Sequence, residues 1–394
     1  MRVILNEIKK IWNFRILCIL AVICVLFFIM LMEFEVTAYR KSHSNSESIF
    51  YCEELMRLYG PSITEEEMTE FVAEERERLL LEAEQYIREM PIFANVGIKS
   101  YEDLMVFRDS VDDEWTQEES DANDTLFREN CDYVGFRIQA LEYLESCIGY
   151  LPRYVSGEWT YWNFNERDME RLREMVENGE NLGIICVDTF DSTIRYTVRL
   201  AILLMLGTLV LVSPLLTSDR HSKIHYLQFS SRKGRKLIYG QLTAMVLSSV
   251  VLTTLMLLVF CGIFSLNGTG VFWNTYIGSD FNYMFPVFRL TYGQYILIII
   301  ALMYILTMGT AMLAFVLSRF SHNLITLVIK LIPAFTMLAY LCVLIFDRIF
   351  HMGHTLYKLT QVVGTEAYIC CIISAIALMA ALWVSRREKR VDIV

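Results

Sequence analysis

The chain has 394 residues, 55% of them hydrophobic, with a mean hydropathy of +0.39, which excludes an ordinary soluble protein of this length. The formal net charge of −10 hides an asymmetry: residues 34–195 carry 37 acidic and 15 basic side chains, whereas the rest carries 8 acidic and 20 basic. A long acidic block inside an apolar, basic frame is the pattern of a membrane chain with one large polar domain, and no nucleic-acid partner is expected of it.

Residues 1–15 come first, with Ile4, Ile8, Ile11, Trp12 and Arg15 along one helical stripe. This stripe fits an amphipathic interfacial helix; the same residues also fit the wet end of the following span, carrying its basic flank. Apolar runs long enough to cross roughly 30 Å of hydrocarbon then occur at Ile16–Met32, Thr197–Leu216, Gln241–Leu266, Tyr292–Leu317, Leu324–Phe346 and Tyr368–Val384. These six runs are expected to be helices, because a lone segment in lipid satisfies its backbone hydrogen bonds only within itself. Basic residues flank alternate runs: Arg2, Lys9, Lys10 and Arg15; Arg220 to Lys236; Arg319; and Arg386, Arg387, Lys389 and Arg390. The positive-inside rule puts those four segments, including the tail 385–394 and both termini, in the cytoplasm and residues 34–195 outside the cell. Val36-Thr37-Ala38 offers a small-residue cleavage site, but Ile16–Met32 is longer than a signal core and is followed by Glu33 and Glu35, so a retained anchor is expected.

Within residues 34–195 the apolar positions recur every three or four residues, so the outer domain is expected to be α-helical. Thr64 and Glu67 fit a capping box opening a long helix with Met68, Phe71, Val72, Leu79, Leu80, Ala83, Ile87 and Met90 on its apolar face, ended by Pro91. A turn over Ile92–Lys99, a short helix from Ser100, a helical stretch from Asn123 to Tyr150 stopped by Gly149 and Pro152, and a helix from Asn165 to Asn178-Gly179 follow. The aromatic cluster Trp159, Tyr161, Trp162 and Phe164 suits a core or lid against the long helix, or stacking on a ligand or the membrane interface. The acidic excess reads as a solvated face, since no cation-ligand spacing accompanies it.

Of the ten cysteines, Cys18, Cys24, Cys261, Cys342, Cys370 and Cys371 lie in or beside the apolar runs and are expected to pack. Cys52, Cys131, Cys147 and Cys186 lie in the outer domain, where disulfides are permitted and three connectivities are open. No G-x-x-x-x-G-K-[ST], H-E-x-x-H, G-x-S-x-G or C-x-x-C occurs, so no P-loop, zinc-protease, hydrolase or dithiol signature is present and no cofactor, metal or catalytic residue is assigned. His351 and His354 are a pair without a third ligand and read as loop histidines. Asn123-Asp-Thr and Asn267-Gly-Thr match the glycosylation sequon, which matters only in a eukaryotic secretory pathway. Lys330 is placed to snorkel rather than to serve a path across the membrane. Pro214 and Pro333 are expected to kink their helices.

The segment 217–240 is basic yet carries an apolar edge. Between Ser218 and Lys236 it holds six basic residues and one acid, with Ile224, Leu227 and Phe229 spaced for one side of a short helix, Ser230 and Ser231 as a stop or new cap, and Gly234 as a break. A loop that only sets topology needs no apolar edge. Here the sequence resembles the permeases of type-2 ABC exporters, whose loop after the second span has an acidic residue, a short helix, a small-residue pair and a Gly-Arg or Ser-Arg step. Asp219, Ile224, Leu227, Ser230, Ser231, Gly234 and Arg235 occupy those positions, and with Arg220 and Phe229 they are the residues expected to bind the partner. The layout is similar too, as is Phe93-Ala-Asn-Val-Gly-Ile-Lys-Ser-Tyr-Glu-Asp to a stretch common in Gram-positive permeases. Asp219 stands where the family more often has Glu, and Gln241 where it has a basic residue.

The resemblance implies an all-α polytopic membrane protein of the bacterial cell membrane with six transmembrane helices and a large extracellular helical domain between the first and second. It implies a non-enzymatic export permease whose loop serves as a coupling helix for a separate ATP-binding subunit, with a second permease chain completing the path. Two other functions fit parts of the sequence. A membrane sensor would explain the outer domain but not the five spans after it; a membrane-embedded enzyme would need polar groups clustered at one face, for which only His351, His354 and Glu366 offer themselves.

Overall fold

The computed structural model describes residues 2–41, 43–108, 115–127, 134–159, 164–221, 237–321 and 323–390. Among these the chain is all α-helical, without a strand; β pairing is limited to isolated bridges, such as Ser62 with Gly183 and Tyr276 with Thr291. Six helices are long and apolar enough to cross a membrane: Phe14–Thr37, Val187–Pro214, Leu237–Ser265, Tyr292–Arg319, Leu324–Phe346 and Thr365–Glu388. They coincide with the six apolar runs and extend most of them by a turn or more, because helical geometry continues past the last apolar residue into polar flanks. The molecule divides into two compact units: Met1–Thr37, Asp191–Thr269 and Gln294–Val394 form one, Ala38–Phe190 and Gly270–Gly293 the other.

In the span unit, the entry segment is a helix of its own, Arg2–Ile11, separated from the first span at Trp12–Asn13, where the Asn13 side chain caps the next helix by accepting from the Arg15 amide. It packs along the Leu237–Ser265 helix. Ile11 is fully buried and the Trp12 indole donates to Ser248 Oγ at 3.2 Å. The sequence stripe missed Glu7, which is also buried and pairs with Lys10 one turn on. The second span is the centre of this unit, with Leu200, Ala201, Leu203, Leu204, Met205, Leu211 and Val212 buried. The first is its least covered member, exposing Ile19, Val22, Leu26, Ile29 and Met30, and contains a π-helical turn at Phe28–Met32. Pro214 and Pro333 lie inside continuous helices.

Small and hydroxyl side chains hold the spans together, as expected where lipid supplies no hydrophobic drive for helix association. Thr253 donates to Thr307 at 3.0 Å, joining the third and fourth spans, and Ser374 on the sixth donates to the Ile305 carbonyl on the fourth at 2.9 Å. Gly309 marks the closest of these crossings: a Cβ there would sit 2.6 Å from Ser374 Oγ and 3.1 Å from its Cα. Gly309→Leu is therefore expected to force the fourth and sixth helices apart at a cost of about 1–3 kcal/mol. The check is the thermal unfolding midpoint of the purified chain in detergent, with Ser374→Gly recovering part of the loss of Gly309→Ala.

The second unit is built on the helix Glu65–Glu89, capped by the reciprocal Thr64–Glu67 pair that the sequence signals. Met68, Phe71, Val72, Leu79, Ala83 and Ile87 are buried along it. Helices His43–Tyr59 and Val134–Cys147 pack together, and the long helix packs on Val134–Cys147. A smaller core gathers Ile87, Phe93, Ile98, Leu104 and Ala122. Pro91 does end the long helix, but it also opens a new one: Pro91–Asn95 is helical where a turn was expected, since proline is at home in a first helical turn. The helix expected from Ser100 starts at Tyr101, with Ser100 and Asp103 exchanging cap bonds. Of the stretch expected over Asn123–Tyr150, the described residues are helical at Gln117–Phe127 and Val134–Cys147, residues 128–133 lie outside the described residues, and Pro152 stops nothing: it lies in a further helix, Tyr150–Val155, entered through left-handed Gly149. Asn165 caps Glu166–Glu177, which ends at Asn178-Gly179 as its sequence indicates.

Gly270–Gly293, a segment between the third and fourth spans for which the sequence reading proposed no role, is part of this second unit. Asp280, 4% exposed, holds it there by accepting from the Leu151 amide at 3.1 Å, capping the Tyr150–Val155 helix, and from Asn181 Nδ2 at 3.1 Å. Buried Glu180 takes a bidentate pair from Arg171 at 3.0 and 2.6 Å, with Arg289 at 3.9 Å. Phe285 packs edge-on against Phe164 and Tyr283 against Tyr150. Of the aromatic cluster, Phe164 is thus a packing residue, Trp159 remains 38% exposed under Arg153, and Tyr161 and Trp162 lie outside the described residues.

Burial pushes the Asp280 carboxyl up to about 6, against the lowering effect of its hydrogen bonds. A folded-state value raised above the ordinary 3.8 makes this group favour folding at low pH, an advantage lost as pH rises through about 6. Asp280→Asn removes that dependence. Unfolding of variant and wild type compared between pH 4 and 7.5 is expected to shift in favour of the variant by up to about 3 kcal/mol; a pH-independent difference would contradict the assignment.

Candidate functional site

The segment that the sequence singles out lies mostly outside the described residues: Ile224, Leu227, Phe229, Ser230, Ser231, Gly234 and Arg235 all do. The backbone helix Val187–His221 carries Asp219 and Arg220 to its last turn, and the next described residue is Leu237, which opens the Leu237–Ser265 helix. The segment is thus strung between the ends of the second and third spans.

The side chains near the start of the third span form a polar cross-tie. Gln241, 5% exposed, accepts from Arg319 Nη2 at 2.9 Å, and Arg319 Nη1 lies 3.5 Å from Glu388 Oε2. Gln241 is one turn into the third span, Arg319 is the last residue of the fourth helix, and Glu388 is near the end of the sixth. The three helices are therefore joined through one guanidinium, which also lies over the Phe315 ring, 4.6 Å from its centroid. An arginine at a helix C-terminus is favoured by the helix dipole, and its planar fork can serve two acceptors at once. Lys330, in the fifth helix, reaches back to donate to the Phe320 carbonyl in the connection before it.

A second polar cluster joins the end of the first span to the second. Glu35, 2% exposed, receives Arg195 Nε at 3.0 Å and Arg199 Nη1 at 2.8 Å; its carbonyl accepts from Ser192 Oγ at 3.3 Å and Asn267 Nδ2 at 3.1 Å. Asp191 pairs with Arg348 at 2.8 Å. His351 and His354 are loop residues, as expected, and both are buried: His351 Nδ1 accepts from the Gly353 amide at 2.8 Å, and His354 caps Thr355–Thr360 and lies 3.0 Å from Glu366 Oε1. Arg348 and Phe350 in the same segment hold left-handed backbones, a strain that persists only where surroundings over-determine it. Among the described residues no three His, Cys, Asp or Glu side chains converge as a metal site.

Sequence reasoning recorded Arg319 and Glu35 only as flanking charges, read Gln241 as a departure from the expected basic residue, and gave Arg195 and Arg199 no role. A signal was available. Arg195 and Arg199 are spaced i,i+4, placing both on one helical face, and Arg199 falls inside an apolar run, where a charge demands a partner. No family model, curated protein or solved structure matches the chain.

Proposed function

We propose that this chain is the membrane-spanning permease subunit of an ATP-driven exporter of the bacterial cell membrane, working with a separate ATP-binding subunit and a second permease chain. The observation that carries the proposal is the segment 217–240: a basic loop with an apolar edge at Ile224 and Leu227, between the second and third of six candidate spanning helices. On this reading the loop docks into a cleft of the ATPase, Ile224 and Leu227 burying their side chains and Arg232, Lys233 and Arg235 pairing with acidic groups or anionic lipid. The Gln241–Arg319–Glu388 tie supports the reading, because a push delivered at the loop reaches the third helix within one turn of residues bonded to the fourth and sixth. The inter-span domain is then extracellular and both termini are cytoplasmic.

The test is reconstitution of the chain with its ATPase in proteoliposomes. ATP hydrolysis several-fold above that of the ATPase alone is the expected result; an unchanged rate would exclude energetic coupling through this chain.

A further inference from the structure

The cluster of Glu35 with Arg195 and Arg199 does not balance its charge. Two guanidinium groups meet one carboxylate, Arg195 through Nε at 3.0 and 3.1 Å and Arg199 through Nη1 at 2.8 Å. Among the described residues these are the hydrogen bonds that the two side chains make, so both terminal nitrogens of Arg195, with Nε and Nη2 of Arg199, still have N–H groups to give. The neighbouring acids do not make up the difference. Asp191, one turn before Arg195 on the same face, is taken by Arg348, and Glu33, two residues from Glu35, lies on another side of its helix and accepts from Thr37. One positive charge is left over, where the first candidate span ends and the apolar run of the second begins.

Beneath this charge the second span is apolar and open. Arg195, Arg199, Ile202, Leu206 and Val210 follow one another at spacings of four, three, four and four, which is a single helical face, and the last three are only half-buried. That departs from the rest of this central helix, where Leu200, Ala201, Leu203, Leu204 and Met205 are buried. From Arg199 to Val210 the stripe runs about 16 Å at the rise of an α-helix, close to half of the roughly 30 Å hydrocarbon layer. Side chains in a helix tilt toward its N-terminus, so Arg199, just inside the apolar run Thr197–Leu216, is directed back toward the level of Arg195.

We propose that Arg195 and Arg199 bind the phosphate of an anionic membrane lipid, with an acyl chain of that lipid lying along Ile202, Leu206 and Val210. The phosphate supplies the missing negative charge and accepts from the unused N–H groups, and the planar guanidinium fork matches phosphate oxygens. A soluble anion would satisfy the arginines but not the stripe below them, whose length is that of one leaflet. Glu35 holds both arginines in place and, by its own charge, limits how strongly they attract the lipid. The assignment needs only that the chain lies in a bilayer. It holds whichever side of the membrane the inter-span domain faces, and whether or not an ATPase is bound.

The test is retention of phosphatidylglycerol by the purified full-length chain in detergent, counted by native mass spectrometry as the lipid is diluted. Replacing both arginines with methionine strands the Glu35 charge, so the variant used combines Arg195→Met and Arg199→Met with Glu35→Gln. Wild type is expected to hold one lipid that this triple variant binds about tenfold or more weakly, and to prefer phosphatidylglycerol to phosphatidylcholine, whose choline cancels the phosphate charge. Glu35→Gln alone is expected to hold the lipid more tightly than wild type, a rise that a purely structural cluster would not give. Equal retention by wild type and the triple variant overturns the proposal. So does displacement of the lipid by inorganic phosphate, which would make this a site for a soluble anion. Failure of ATPase coupling would leave these results untouched.

Discussion

A chain in which Arg195 and Arg199 are both replaced by methionine should lose on the order of 3–5 kcal/mol of stability, because Glu35 would be left with its charge buried and unanswered. Glu35 is 2% exposed, while its partners are 48% and 30% exposed. The asymmetry decides the sign of the controls: deleting the carboxylate strands two half-solvated guanidinium groups, which is cheap, whereas deleting the guanidinium groups strands a buried carboxylate, which is not. Adding Glu35→Gln to the double variant should therefore recover most of the loss. By contrast Arg88, paired with Glu84 at 3.8 Å with both side chains largely exposed, should be replaceable at a cost below about 0.5 kcal/mol. Thermal unfolding of the purified chain in detergent reads all four. Equal effects for the Arg195/Arg199 and Arg88 variants would show that the Glu35 cluster does not hold the first and second spans together.

The second large effect is expected at the loop. Replacing Ile224 and Leu227 with aspartate should abolish co-purification of the ATPase subunit while leaving membrane insertion and thermal stability unchanged. Each apolar side chain is worth about 1.5–3 kcal/mol when fully buried, and a carboxylate in its place adds a desolvation penalty. Together they should weaken association by at least about a hundredfold. Insertion is expected to be spared because both residues lie outside the six apolar runs of the sequence. Stoichiometric recovery of the ATPase with this variant would remove the loop from the mechanism.

The features legible in the sequence were those written in local pattern. Uninterrupted apolar length located all six candidate spans, and the Thr64–Glu67 and Asn165 caps, each set by residues within one turn, appear where expected. Long-range pairing was not legible. Nothing local announces that Asp280 caps a helix at Leu151, 129 residues away, or that Glu35 meets Arg199 across 164 residues. Pro152, and the helix that Pro91 opens after ending the long one, were missed for a simpler reason: proline breaks a helix interior but suits a first turn, and the sequence does not say which side of a boundary it occupies. The buried state of His351, His354 and Glu366 likewise depends on how Asp347–His354 folds back, which follows from packing and not from spacing.

An export permease of the kind proposed requires an ATP-hydrolysing partner. The direct measurement is affinity isolation of the full-length chain from its own membrane in mild detergent, with partners identified by mass spectrometry and the complex assayed for ATP hydrolysis. A P-loop ATPase recovered in stoichiometric amount, with hydrolysis that disappears in the Ile224→Asp, Leu227→Asp variant, is the predicted result. Recovery of the intact chain with no nucleotide-hydrolysing subunit would contradict it.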